Sequence, residues 1–189
     1  EILSGLVGSE MCIRDSALAG TAPKHGPNAW TKEQLLTDKK NLFEHNIVRD
    51  RIVKTMETIT PDVTIGETGI MELAHLYHLR TIITAKDSTK SLVEWAKLLH
   101  PTPALGGEPR EKALALLQKY EAHERGMYAA PFGFMKDMGD GIVIVAIRSA
   151  LIMDNVLYAY AGCGVVADSD ADEEYAETNN KMRTILDAL

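Results

Sequence analysis

The 189-residue chain sets 27 acidic against 20 basic side chains, a formal net charge of −7, with 46% hydrophobic residues. This leaves room for one sizeable core in an ordinary globular protein, and no basic face of the kind that phosphate backbones require, so no nucleic-acid partner is expected. Two cysteines without paired spacing, Cys12 and Cys163, speak against a disulfide framework or a zinc site and for a reducing cytoplasm, and no apolar run approaches the roughly 20 residues that span a bilayer.

In chain order, residues 1–16 (EILSGLVGSEMCIRDS) show no sustained period and resemble translated sequencing-adapter sequence, so a non-native head is expected before a domain at 17–189. ALAGTAPKHGPNAW reads as a loop punctuated by glycine and proline. Thr31-Lys-Glu-Gln34 has the form of a capping box and opens a helix whose apolar residues Leu35, Leu42, Ile47, Val48, Ile52 and Met56 predict one long element with Glu44 near its middle. SLVEWAKLL and EPREKALALLQKYE read as two shorter helices around the Pro/Gly-rich loop HPTPALGGEP. YAAPFGFMK, IVIVAIRSALI and VLYAYAG, joined by DMGDG and MDN, predict an antiparallel meander. A helix from about Asp170 to Leu189 closes the chain.

Several side chains invite chemistry, and each has a plainer reading. Glu174 and Glu177 stand three apart, so on a helix they share a face and repel by a few tenths of a kcal/mol unless a cation sits between them; Lys181 extends that face. On spacing alone a solvated acidic surface accounts for them better than a metal does. Glu44 fits a helix edge, and His78 in LYHLRT fits a core histidine with a satisfied hydrogen bond. Arg148 interrupts an apolar run, which places it either at a sheet edge or pointing inward to a fixed anion. Gly162 and Gly164 follow a strand, where bare N–H groups can approach a carboxylate or simply turn the chain.

The strings LLHPTPALGGEPREKALALLQKYEAHERGMYAAPFGF, VAIRSALI and YAGCGVVADSDADEEYAETNNK, with ALAGTAP, FEHNIV and HLYHLRT in the same order, resemble the C-terminal half of the chorismate-utilising enzymes, most of all the isochorismate synthases of menaquinone and siderophore biosynthesis. The resemblance implies an α+β fold, part of a layered assembly of antiparallel sheet flanked by helices. It implies chorismate as a small-molecule substrate and Mg²⁺ as cofactor, with Glu44 and Glu177 as direct ligands and Glu174 reaching the metal through water; oxygen donors suit that hard ion. Asn41 stands where relatives often carry another acid, a departure expected to weaken the outer shell of the metal.

By the same resemblance Arg148 and Tyr128 hold the enolpyruvyl carboxylate, Gly162 and Gly164 add backbone donors, and Lys181 lies near the ring carboxylate. Gly20, Thr21 and His78 line the other side of the ring. Ala19 stands where aminodeoxychorismate synthases carry a lysine nucleophile, which disfavours a covalent intermediate. HPTPALGGEPR departs from the anthranilate synthase form, which disfavours ammonia, and Ala104 replaces the threonine of salicylate synthases, which disfavours pyruvate elimination. The implied reaction is water attack at ring C2 with loss of the C4 hydroxyl, yielding isochorismate. Salicylate or anthranilate synthase, and a noncatalytic fragment that binds chorismate and magnesium, stand as alternatives. Family members are about twice as long; their general-base lysine and general-acid glutamate fall in an upstream half with no counterpart here. Loss of that half is expected to expose apolar faces at Val143, Val145 and Ile147 or at their opposite-face neighbours.

Overall fold

The computed structural model describes residues 5–9, 12–87, 89–137 and 139–187. It divides into two compact units, Glu1–Tyr120 with Pro131–Val145, and Glu121–Ala130 with Ala146–Leu189. In the first, strands β1 (Gly5–Ser9) and β2 (Cys12–Pro23) precede helices α1 (Lys32–Thr37) and α2 (Lys39–Glu57). Strands β3 (Val63–Ile65), β4 (Gly69–Glu72) and β5 (Leu76–Ala85) follow, then helices α3 (Leu92–Leu99), α4 (Pro103–Gly106) and α5 (Arg110–Tyr120), and strands β6 (Pro131–Met135) and β7 (Gly141–Val145). These strands make one antiparallel sheet in the order β3-β5-β2-β1-β7-β6, with β4 also on β5.

Two expectations for this region fail. ALAGTAP is strand rather than loop, because β5 pairs with β2 from Ile13 to Pro23 and the sheet absorbs Gly20 as a bulge. Residues 5–9 and 12–16, aperiodic in sequence, likewise form β1 and the start of β2. The expected long helix is two: Asp38, extended at φ −73° and ψ 123°, ends α1 and caps α2 by accepting from the Asn41 amide at 2.8 Å. The capping box of Thr31 and Gln34 forms as the spacing predicts.

α2 turns His45, Val48, Ile52 and Met56 inward on a helical period, and α3 adds Leu92, Trp95 and Leu99, so both helices bury a stripe against Ile13, Ala17, Ile83 and Ala85. β5 buries Leu76, His78, Leu79, Thr81, Ile83 and Ala85, alternating from Leu79 onward, but His78 and Thr81 are polar, so the sequence shows no apolar–polar alternation to betray a strand. At the other end of the sheet β6 is an edge strand with every residue exposed, including Phe132, Phe134 and Met135. Val143, Val145 and Ile147 are half-buried, so the apolar exposure falls on the β6 neighbours of β7.

The second unit holds the hairpin β8 (Ala150–Met153) and β9 (Val156–Ala159) and helix α6 (Ala171–Leu186). Asp154 and Asn155 both take positive φ, 51° and 62°, as a two-residue hairpin turn requires. The expected meander is therefore two separate hairpins: β7 ends at Val145, β8 and β9 form a sheet of their own, and Arg148 lies in the break with φ 53°. Among the described residues, no helix is long and apolar enough to cross a membrane.

Candidate active site

α6 explains how the acidic stretch near the end of the chain becomes stable helix. Asp170 caps it by accepting from the amides of Asp172 and Glu173, each at 3.0 Å, and Asp172, Glu173 and Glu174 fill the first turn, where the helix dipole favours negative charge. Glu174, Glu177 and Lys181 then share a face. Glu174 is buried and its Oε1 accepts from the Ser169 hydroxyl at 2.6 Å. Lys181, also buried, pairs with Glu177 one turn back and donates to the Gly162 carbonyl at 3.0 Å. A charge-assisted contact on each side thus fixes the ammonium between α6 and the glycine turn.

Tyr128 and Arg148 belong to the same unit. Tyr128 stacks on Tyr160 with centroids 5.5 Å apart and planes 17° from parallel, and its hydroxyl lies 3.2 Å from where a Cβ on Gly162 would stand, so a side chain there would crowd it. Burial pushes the Tyr128 phenol up and pulls the Arg148 guanidinium down, while Tyr128 and then Glu177 favour the arginine's charge. Among the described residues no carboxylate forms an ion pair with Arg148. A half-buried cation in left-handed backbone and without a paired anion is an arrangement suited to receiving one from outside. Gly164 is exposed in the same turn, and burial pushes the nearby Cys163 thiol up, away from thiolate chemistry.

The first unit holds the remaining residues of the expected site. Thr21, just past the bulge, shares a 2.9 Å hydrogen bond with Nδ1 of buried His78 on β5, so these two side chains meet. Glu44 is half-buried on α2, and Ala104 is exposed on α4. Sequence reasoning passes over His45, which is fully buried and bonded at both ring nitrogens, as well as Tyr160 and Ser169. A histidine beside an acid in an amphipathic helix carries no signal that separates it from surface, and neither does a tyrosine in an apolar strand.

Oxygen donors alone mark the α6 face, two carboxylates one turn apart with a cation already drawn to one of them. That chemistry fits Mg²⁺, which takes one or two protein carboxylates and fills its octahedron with water and substrate oxygens. Among the described residues no group of three or more His, Cys, Asp or Glu gathers closely enough to hold a metal by itself.

Beside this antiparallel sheet with flanking helices, the sequence itself defines the class: residues 7–189 match the chorismate binding enzyme family, and the chain belongs to it. It is 38% identical over 178 residues to the salicylate biosynthesis isochorismate synthase of Pseudomonas aeruginosa, covering 92% of this chain and 37% of that protein. It is 37% identical over 183 residues to isochorismate synthase MenF of Bacillus subtilis, covering 94% of this chain and 39% of that one. The crystal structure of MenF, the menaquinone-specific isochorismate synthase from Escherichia coli, superposes with a TM-score of 0.86 at 30% identity, over 98% of this chain and 44% of its own. DhbC of Bacillus anthracis gives 0.92 at 32% identity, over all of this chain and 51% of that one. The chain therefore spans between about a third and a half of the length of these relatives.

Proposed function

We propose that this chain is the C-terminal part of the catalytic domain of an isochorismate synthase that acts in the cytoplasm on chorismate, serving a menaquinone or siderophore pathway. The observation that carries the reading is the Arg148 guanidinium, half-buried beside Tyr128 and unpaired among the described residues, on a chain whose named relatives are isochorismate synthases. Arg148 grips the enolpyruvyl carboxylate at two points, Tyr128 and the amides near Gly162 and Gly164 add donors, and Lys181 faces the ring carboxylate. On the resemblance alone, Thr21 and His78, with Gly20, would line the other side of the ring. Ala104 offers no hydroxyl, in keeping with a reaction that stops at isochorismate.

On the resemblance, Glu44 and Glu177 would hold Mg²⁺ directly and Glu174 through water, and the ion would supply positive charge against the substrate's carboxylate. Water adds at C2 as the C4–O bond breaks and the ring double bonds shift. The base that takes the water's proton and the acid that protonates the leaving hydroxyl belong, by the resemblance, to the part of the relatives that this chain does not span. Water is both consumed and released. The chain's own residues bind and orient a dianion and offset the cost of desolvating it.

The test is to extend the chain with its upstream coding sequence and incubate it with chorismate and millimolar Mg²⁺. Isochorismate in equilibrium with chorismate is expected, and Glu177→Gln should reduce turnover and Mg²⁺ affinity together. Salicylate with pyruvate, or anthranilate, as the main product overturns the reading. The 189-residue chain by itself should stay at background, since each missing proton-transfer group is worth about 10²- to 10⁴-fold.

A further inference from the structure

We propose that Asn41 and His45 are positioning residues that lock the β2 bulge from α2 and thereby set where the Thr21–His78 pair is presented. The inference rests on the function proposed above for Thr21 and His78. At Gly20 the register of β2 against β5 slips by one residue, and among the described residues β1 pairs with Arg14, Ile13 and Cys12 and none pairs with the far side of β2 at the bulge. Two side chains of α2, one helical turn apart, take the backbone groups that flank it. The Thr21 amide donates to Asn41 Oδ1 at 2.9 Å, and the Ala19 carbonyl stands 3.2 Å from His45 Nδ1.

Chemistry fixes the protons. A carbonyl can only accept, so His45 Nδ1 carries hydrogen; the other ring nitrogen, Nε2, lies 2.7 Å from the Thr81 hydroxyl, which lies 2.7 Å from that of Thr68, so the ring is held at both ends. Asn41 is braced as well, its Nδ2 donating to Asp38 Oδ1 at 2.7 Å, which aims Oδ1 at the bulge. Glycine is required between the two clamped residues: φ is +79°, and a Cβ would stand 3.0 Å from the Asn41 carbonyl. Asn41 is therefore committed to the Thr21 amide rather than to the outer shell of a metal, and an acid at this position could accept the same bond.

Hydrogen exchange and imidazole ¹⁵N spectra on the 189-residue chain decide the matter without any substrate. Asn41→Ala should speed exchange of the Thr21 amide at least tenfold while leaving the Ile83 amide unchanged, and should alter the His78 nitrogen pattern. Asn41→Asp, which keeps the acceptor for the Thr21 amide but loses the donor to Asp38, should restore both in part, and His45 should carry hydrogen on Nδ1. An unchanged Thr21 rate in folded Asn41→Ala, or the opposite His45 tautomer, overturns the clamp. If Asn41→Ala does not fold, the Asn41→Asp rates and the wild-type tautomer still decide it. In the extended enzyme Asn41→Ala should lower kcat for chorismate about tenfold or more, with recovery in Asn41→Asp; wild-type kcat in the alanine variant overturns the positioning role. If the extended wild type does not turn over chorismate, the proposed function fails while the exchange and nitrogen data still rule on the clamp.

Discussion

The first unit closes over apolar side chains, with Trp95, Leu35, Ile52, Met56, Leu79 and Ile83 all but inaccessible, whereas among the described residues the second buries Ala129 and Ile185 beside the charged Glu174 and Lys181. Burial of apolar surface is non-directional and adds up, so the first unit has a core that does not depend on any one polar contact. In the second, buried charge must be satisfied contact by contact, and the residues proposed to hold substrate are the ones that do it. The difference teaches that the residues proposed to hold substrate in the second unit sit where packing contributes least.

The sharpest break of that contrast lies in the core. Trp95→Ala removes a fully buried side chain and its 3.0 Å bond to Asp87, and should cost about 3–5 kcal/mol in denaturant unfolding. A loss below about 1 kcal/mol would mean that the first unit is not held by its core. Next comes Arg148→Gly. Losing two charge-assisted hydrogen bonds to a carboxylate should reduce kcat/KM of the extended enzyme about 10²- to 10⁴-fold. Because φ is 53° at this position, the same change should relieve backbone strain and raise stability by about 1 kcal/mol. Opposite signs in activity and melting would sharpen the comparison; parallel losses would make Arg148 a structural residue.

Asp15 is the flaw in the apolar core. It lies between Ile13 and Ala17 on β2, and burial pushes its carboxyl up to about 6 against the bond from the Ser16 amide. A raised acid favours the folded state while protonated, so this contribution is lost as pH rises from about 4 through 6. Asp15→Asn should therefore gain on the order of 1–3 kcal/mol at pH 7.5 and close to nothing at pH 4, read as the difference between variant and wild type. His45 acts in the other direction. Burial lowers its imidazole, so its contribution is present above about pH 6.5 and lost as pH falls. The smallest effect belongs to the surface of the first unit, where Glu72 pairs with Lys24 and Lys32 at 2.5 Å each and is drawn down to about 2 by those bonds. Glu72→Gln should leave the melting temperature unchanged in 0.5 M salt, since screening removes exposed pairs. A clear loss there would give surface charge a weight that the apolar core is held to carry.

Local rules in the sequence reach some of this protein. The capping box at Thr31, the short helix in SLVEWAKLL, the turn within MDN and the closing helix from about Asp170 each depend on neighbours a few residues away, and each forms as read. The shared face of Glu174, Glu177 and Lys181 follows from helical spacing in the same way. Only tertiary structure decided that ALAGTAP is a strand, since a glycine in a polar-flanked segment reads as loop until β5 pairs with it and α2 clamps its bulge. It also decided that the apolar run through Arg148 splits into two sheets, and that Lys181 reaches Gly162, nineteen residues back. Periodicity reports which face of an element is apolar and caps report where it starts; partners distant in sequence leave no trace in either signal, because what selects them is the packing of the whole chain.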